Sequence, residues 1–482
     1  MIKTRFAPSP TGFLHIGGLK TALFSYLFAK KHQGHYILRI EDTDRKRFVE
    51  GGMEQILWSF TWAGLAFDEG PNIGGPNGPY IQSERLHLYK QYCDALVQKG
   101  LAYPCFCTPE RLEKMREEQQ KNHQAPKYDG HCRMLDQQEV KERIQKGERY
   151  VIRMKIPQNR TIVVHDLIKG DVIYNSNDMD EQVLMKSDGY PTYHLAVVVD
   201  DHLMEVTHVI RADEWLPSTP KHILLYEYFG WEPPAFAHVP PLLAPGGKKK
   251  LSKREGAVSV DEFAKQGYLP EAMINYLALL GWNPGTTQEF FTLEELQEQF
   301  SLERCQKAGA VFDYKRLNWM NGQYIRKKTI PELTQLIKPF IEQEPWYRED
   351  DTYLEKAVVE IQPRIETLLD SKEMLRSFYE NVPYEKDLIV NEKMNVTPEI
   401  ALQSLTLLHE KLTVLDPWEK ETIQKTLLDI VQMHHLRNSQ VFWPLRAVLS
   451  GKPSSPGAFE MAYVLGKKET LQRIEKGIQK VQ

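Results

Sequence analysis

The chain has 482 residues, 41% hydrophobic and 26% charged, with 61 Lys and Arg against 65 Asp and Glu and only five cysteines. That length exceeds one hydrophobic core, so about two to four domains are expected, and the composition excludes a disordered, collagen-like or fibrous chain. The net charge of −4 does not announce a nucleic-acid binder, so any polyanion contact has to come from local patches such as Arg45-Lys46-Arg47 and Lys248-Lys249-Lys250.

Met1 to Pro10 holds a short β-like stretch instead of a basic segment followed by an apolar one, so no signal peptide is expected. No apolar run reaches the roughly 18 residues of a membrane span. Few cysteines in a long chain fit a reducing, cytoplasmic setting.

Lys3 to Phe6 reads as a strand stopped by Pro8 and Pro10. Gly17-Gly18 leads into a helix over 19–30, with Leu19, Ala22, Leu23, Tyr26 and Leu27 at helical spacing. Tyr36 to Ile40 is a second strand ending at Glu41-Asp42-Thr43-Asp44, and Gly52 to Ala63 a second helix. Strand, glycine turn, helix and strand begin a parallel α/β sheet. After the Gly/Pro-rich loop 70–79 come a helix over 84–99, a highly charged helix between Cys105 and Cys132, and short strands over 150–186, which together read as an inserted module. The sheet pattern resumes with strands at Tyr193 to Asp201 and Thr207 to Ile210, a helix over 218–229 and a strand near 239–243. From Leu269 onward only helical periodicity is visible, as in Leu354 to Ile361 and Ile400 to Leu412.

Two segments carry chemistry. Pro8-Ser9-Pro10-Thr11-Gly12-Phe13-Leu14-His15-Ile16-Gly17-Gly18 places small residues and a histidine at a helix start. Unpaired N–H groups and the helix dipole favour an anion there, and His15 can donate to a phosphoryl oxygen. Lys250-Leu251-Ser252-Lys253-Arg254 follows Pro245-Gly246-Gly247 and puts three cations on a Gly-flanked loop suited to a triphosphate and its departing pyrophosphate. Nothing suggests a covalent nucleophile or a catalytic metal cage.

Together these segments resemble the two signatures of class I aminoacyl-tRNA synthetases. The closer resemblance is to the bacterial glutamyl-tRNA synthetases. It rests on Thr4 to Gly12, on Arg39-Ile40-Glu41-Asp42-Thr43-Asp44, on Lys186 to Leu195, on Val209-Ile210-Arg211-Ala212-Asp213-Glu214-Trp215 and on Asn318-Trp319-Met320-Asn321-Gly322. The resemblance implies a Rossmann-like parallel-sheet catalytic region over 1–322. Within it an acceptor-binding α+β module is inserted at about 80–188 and a helical stem-contact segment lies at about 245–322. An all-α anticodon-binding region over 323–482 follows.

The activity implied is ATP-dependent charging of tRNA(Glu) with L-glutamate through glutamyl-adenylate, with Mg²⁺ accompanying ATP, in a monomeric enzyme. Charging of the glutamine tRNA as well is left open. Glutamate carries three charged groups, so its site needs two cations and one anion. The resemblance assigns Arg5 to the α-carboxylate, Glu41 to the ammonium and Arg211 to the side-chain carboxylate, with Tyr193 adding a hydroxyl and Ala7 and Ser9 contacting ligand from the turn. His15, Lys250 and Lys253 are the implied catalytic residues. ATP falls to Thr11, His15, Gly17, Glu214, Trp215 and Lys253, and tRNA to Asp44, Arg47 and Arg364. Two positions depart from the family pattern: Gly18, where a second signature histidine is expected, and Val197, where a polar Asn is expected.

Cys105-Phe106-Cys107 and Cys132 offer three thiolates, and some family members bind structural Zn²⁺ in this region. The family's closing histidine is Met134 here, which leaves Tyr128 and His131 as fourth-ligand candidates; the set taken is Cys105, Cys107, Tyr128 and Cys132. A glutaminyl enzyme is disfavoured because Arg211 would face a neutral amide and the last third lacks alternating strands. A glutamyl-queuosine enzyme would lack the helical third. A non-catalytic RNA-binding paralogue has no need of His15, Lys250, Lys253, Glu41 and Arg211 together.

Overall fold

Strand β1, Lys3–Phe6, is buried along its whole length although Lys3 and Arg5 are charged. Thr4 on β1 donates its hydroxyl to the Ser25 carbonyl of helix α1, Ile16–Lys31, while Lys3 pairs with Glu69 at 3.3 Å and Arg5 with Asp201 at 3.2 Å. The charges are therefore satisfied inside the fold. The computed structural model describes residues 1–252 and 258–482, so Lys253 and Arg254 lie outside the described residues.

β1 lies beside β2 (His35–Leu38) in parallel register, Arg5 opposite Ile37. The remaining strands, in chain order, are β3 (Ala102–Cys105), β4 (Val151–Met154), β5 (Thr161–Asp166), β6 (Gly170–Asn175), β7 (Val183–Met185), β8 (His208–Ala212), β9 (Ala235–Val239), β10 (Leu242–Leu243) and β11 (Ala310–Val311). The main sheet runs β2-β1-β8-β9-β5-β6, parallel except for the β5–β6 hairpin at its edge. The segment 80–188 thus divides between two sheets: β5 and β6 extend the main one, and β3, β4 and β7 form a separate antiparallel one.

Three readings need correction. Tyr193 to Asp201 is not a strand but the start of a helix, Tyr193–Leu203. Its residues Leu195 to Val199 are all within 1% of complete burial, so no polar face betrays the helical period, and the Val-Val-Val run imitates a strand. The strand read near 239–243 is two pieces, β9 and β10, because Pro240 and Pro241 cannot donate to a ladder. β11, beyond Leu269, pairs in parallel with β10.

The chain divides into two compact units, 1–263 with 273–313, and 264–272 with 314–482. In the second unit, helices Pro398–Thr413, Asn438–Ser450 and Ala458–Val481 bury Leu405, Val448 and Ile474 in a common core.

Candidate active site

The carboxyl ends of β1 and β8, the start of α1 and the start of helix Tyr193–Leu203 surround a cavity of about 1330 Å³. Ligands of open parallel sheets bind at this end of the strands. His15 caps α1: its Nδ1 accepts from the Gly17 N–H at 3.0 Å, so the neutral ring keeps its proton on Nε2. A Cβ built at Gly18 would lie 3.0 Å from Leu14 Cδ1 and 3.7 Å from the Phe6 ring. The small residue at this family departure lets α1 sit close to the loop before it.

Ala7, Ser9, Thr11, His15 and Gly17 line the cavity. Arg5, Glu41, Tyr193 and Arg211 line the inner end, and Glu214, Trp215 and Lys250 another side. Tyr193 and Trp215 pack ring on ring at 4.1 Å. Lys250 Nζ reaches Glu214 Oε2 at 2.5 Å on the exposed rim. Asp44 and Arg47 also line the cavity and pair with each other at 2.7 Å. Val197 is not among the lining residues; it is buried in the core. Arg364 belongs to the helical unit, exposed just after helix Asp351–Ile361.

The two arginines of the inner end differ in what holds them. Arg5 faces Asp201, which Arg39 also contacts at 2.8 Å. Arg39 bonds Glu41 at 3.1 Å, and Arg85 bonds Asp200 at 2.7 Å. Three guanidiniums and three carboxylates therefore form one buried network. Glu41 sits at its cavity edge, and burial pushes its carboxyl up to about 7, against the pull of Arg39 and Arg5.

Arg211 is only 5% exposed, yet its hydrogen-bond partners among the described residues are all neutral groups. Nε donates to His238 Nε2 (3.1 Å), Nη1 to the Tyr193 hydroxyl (3.0 Å), Nη2 to Thr219 Oγ1 (2.8 Å), and both Nη atoms lie 3.3 Å from His222 Nδ1. A buried cation held by neutral acceptors is costly until an anion joins it. The inner end of the cavity therefore favours a ligand carboxylate.

The sequence pattern of residues 1–319 matches the family described as tRNA synthetases class I (E and Q), catalytic domain, and residues 332–478 match an anticodon binding domain. The chain belongs to the class I tRNA synthetases of the E and Q group. It is 45% identical over 482 residues to a glutamate–tRNA ligase of Clostridium novyi, covering 100% of this chain and 98% of the relative. A glutamate–tRNA ligase of Alkaliphilus metalliredigens is 44% identical over 98% of both chains. The crystal structure of a glutamate–tRNA ligase from Elizabethkingia meningosepticum superposes with TM-score 0.90 at 36% identity, covering all of both chains.

The synthetase carries a second cluster on its small sheet. Cys105, Cys107 and Cys132 bring their sulfurs within 4.8 Å of one another. The Tyr128 hydroxyl lies 3.3 Å from Cys105 Sγ and 3.4 Å from Cys107 Sγ. His131 is exposed on the turn His131–Met134, and Met134 is 86% exposed. Of the two fourth-ligand candidates it is Tyr128 that joins the thiols. Arg153 Nε approaches Cys105 Sγ at 3.3 Å and Arg111 Nη1 approaches Cys107 Sγ at 3.4 Å. Arg111 also pairs with Asp129, which leaves Arg153 as the cation against the sulfurs, and the three thiols with the Tyr128 hydroxyl are a donor set of the type that holds Zn²⁺.

Sequence reasoning missed Asp201, Asp166, His222 and His238. No local spacing signals them: Asp166 meets His238 only because β5 and β9 are paired, with Asp166 opposite Phe236.

Proposed function

We infer that the chain attaches L-glutamate to tRNA(Glu) through glutamyl-adenylate at the expense of ATP, which enters as its Mg²⁺ complex. The observation that carries this reading is Arg211, buried among neutral acceptors at the end of a cavity whose other wall is a helix N-terminus capped by His15. The cavity volume exceeds the usual range of about 300–1,000 Å³ for one small ligand and suits two substrates together with a terminal adenosine.

In the first step a carboxylate oxygen of the glutamate α-carboxyl bonds to the α-phosphorus of ATP as the bond to pyrophosphate breaks. In the second a terminal ribose hydroxyl of tRNA takes the glutamyl group and AMP leaves. Arg211 and the Tyr193 hydroxyl hold the side-chain carboxylate, Glu41 takes the ammonium and Arg5 lies toward the α-carboxylate, with Ala7 and Ser9 against the ligand. His15 donates from Nε2 to a phosphoryl oxygen, beside Thr11 and Gly17. Lys250 and Lys253 serve the triphosphate and pyrophosphate, and Glu214 and Trp215 the adenosine. Catalysis is positioning plus charge stabilisation.

Asp44, Arg47 and Arg364 are tRNA contacts on this proposal, and a monomer is part of it. Pyrophosphate exchange with ATP, total tRNA and either glutamate or glutamine tests the whole reading. Exchange with neither amino acid overturns it.

The pH dependence of glutamate binding follows from Glu41. Its carboxyl, raised to about 7 by burial, has to be ionised to meet the ammonium, so glutamate binding expels a proton below that pH. KM for glutamate is expected to rise by up to about tenfold per unit as pH falls below 7, with kcat much less affected. A KM that stays flat between roughly pH 6 and pH 8 removes Glu41 from this role.

Zn²⁺ held by Cys105, Cys107, Cys132 and Tyr128 is the second part of the proposal; it would tie the Cys105–Cys107 segment to the turn after Tyr128. Elemental analysis of protein purified without chelators should find about one zinc per chain, and Cys105→Ser or Cys132→Ser should lose it. Metal-free wild-type protein returns the thiols to core packing.

A further inference from the structure

Behind Arg211 lies a buried chain of groups to which the reaction above gives no part. The Asp166 carboxylate, fully buried at the end of β5, accepts from the backbone N–H groups of Ile168 (2.9 Å), Lys169 (2.7 Å) and His238 (3.0 Å). It also meets His238 Nδ1 at 2.5 Å. Arg211 Nε only donates, so His238 Nε2 must offer a lone pair and the ring proton belongs on Nδ1, between His238 and Asp166. A ring with a lone pair at Nε2 is neutral, and burial in addition holds His238 below its ordinary value despite Asp166. On the other side of the guanidinium, His222 is held well below its ordinary value by burial and by Arg211, and its Nε2 faces His194 Nδ1 at 3.1 Å.

The contrast with Arg5 gives this chain its meaning. Arg5 touches its carboxylate, Asp201, at 3.2 Å; Arg211 instead bonds an imidazole that has the Asp166 carboxylate on its far side. A carboxylate placed against Arg211 would cancel the charge the substrate has to meet, and an amide would then bind as well as an anion. A neutral imidazole accepts one N–H and fixes the guanidinium plane while holding the Asp166 carboxylate a ring's width away from it.

We propose that Asp166 and His238 are positioning residues for Arg211: the pair locks the guanidinium through Nε, and the interposed ring keeps a protein carboxylate out of contact with it, leaving that contact to the substrate's side-chain carboxylate. Glutamate selectivity then depends on the neutral ring as well as on Arg211. This rests on the glutamate reading given above.

The test compares wild type with His238→Glu, His238→Gln and Thr219→Asp in tRNA-dependent pyrophosphate exchange, using glutamate and glutamine separately. His238→Glu, whose carboxylate reaches as far as the imidazole Nε2, sets an anion against Nε. Thr219→Asp sets one against Nη2 from the first residue of helix Thr219–Phe229, where an acidic side chain suits the helix dipole and folding should tolerate it. Each should lower the glutamate-to-glutamine ratio of kcat/KM by at least about tenfold, with KM for ATP within about threefold of wild type. His238→Gln keeps a neutral acceptor and should hold the ratio within about fivefold. If His238→Glu is insoluble, Thr219→Asp decides alone. An unchanged ratio in a soluble acidic variant overturns the proposal, as does an equal collapse in His238→Gln. Wild type that shows no glutamate-dependent exchange fails the functional reading instead, so the two failures are distinct.

Discussion

Arg211→Ala is expected to abolish the preference for glutamate over glutamine. In the wild type a glutamine amide would leave this guanidinium buried and uncompensated. Leaving one partner of a buried ion pair unmatched costs about 3–5 kcal/mol, a factor of about 10²–10³ or more in kcat/KM. Once the cation is gone, glutamate brings the unmatched charge, so its kcat/KM should fall by that factor while any residual glutamine activity changes little. KM for ATP should stay near wild type. The fold should survive, because Asp166 keeps His238 and three backbone N–H groups and no protein carboxylate is stranded. The measurement is kcat/KM for both amino acids in tRNA-dependent exchange. A variant that keeps wild-type discrimination moves the determinant elsewhere, and Arg5 is then the next cation, although Asp201 already faces it.

His15 separates two effects that one substitution would merge. Its Nδ1 caps α1, and its Nε2–H is the proposed donor to phosphate. His15→Ala removes both and should cost about 1 kcal/mol of stability along with about 10²–10³ in kcat. His15→Asn keeps a capping oxygen but loses the ring donor. It should retain most of the stability and still lose about 10²-fold or more in kcat. Steady-state exchange and thermal unfolding on both variants check this. Full activity in His15→Asn would reduce His15 to a helix cap.

The legible parts of the molecule are those in which chain neighbours do the work. β1, the glycine turn and α1 could be read because a proline stop, a glycine pair and a helical apolar stripe are local signals. Glu41 and Arg211 were marked only by the resemblance, since a lone carboxylate or guanidinium in a sequence carries no address. Helix Tyr193–Leu203 was illegible for the opposite reason: burial of the whole run Leu195 to Val199 erased the polar stripe by which a helix announces itself. For the thiol cluster, spacing gave three ligands and two candidates for a fourth. The path of the chain through the turn His131–Met134 turns His131 outward and leaves Tyr128 with the sulfurs. The environment of Arg211 depends on the alignment of β8 with β9, where Arg211 lies opposite His238, and no periodicity along one strand encodes its neighbour.

Helix Tyr193–Leu203 also acts as a ruler. Near its first residue the Tyr193 hydroxyl bonds Arg211, and eight positions on Asp201 bonds Arg5. At about 1.5 Å per residue the backbone positions of these two residues are roughly 12 Å apart along one helix, buried from Leu195 to Asp201. On the proposed assignment the helix fixes the spacing between the groups that receive the two ends of the amino acid. Aspartate, one methylene shorter, would then satisfy one end or the other less well than glutamate. Selection by charge would exclude glutamine, and selection by length would disfavour aspartate, with both sieves hung on a single helix.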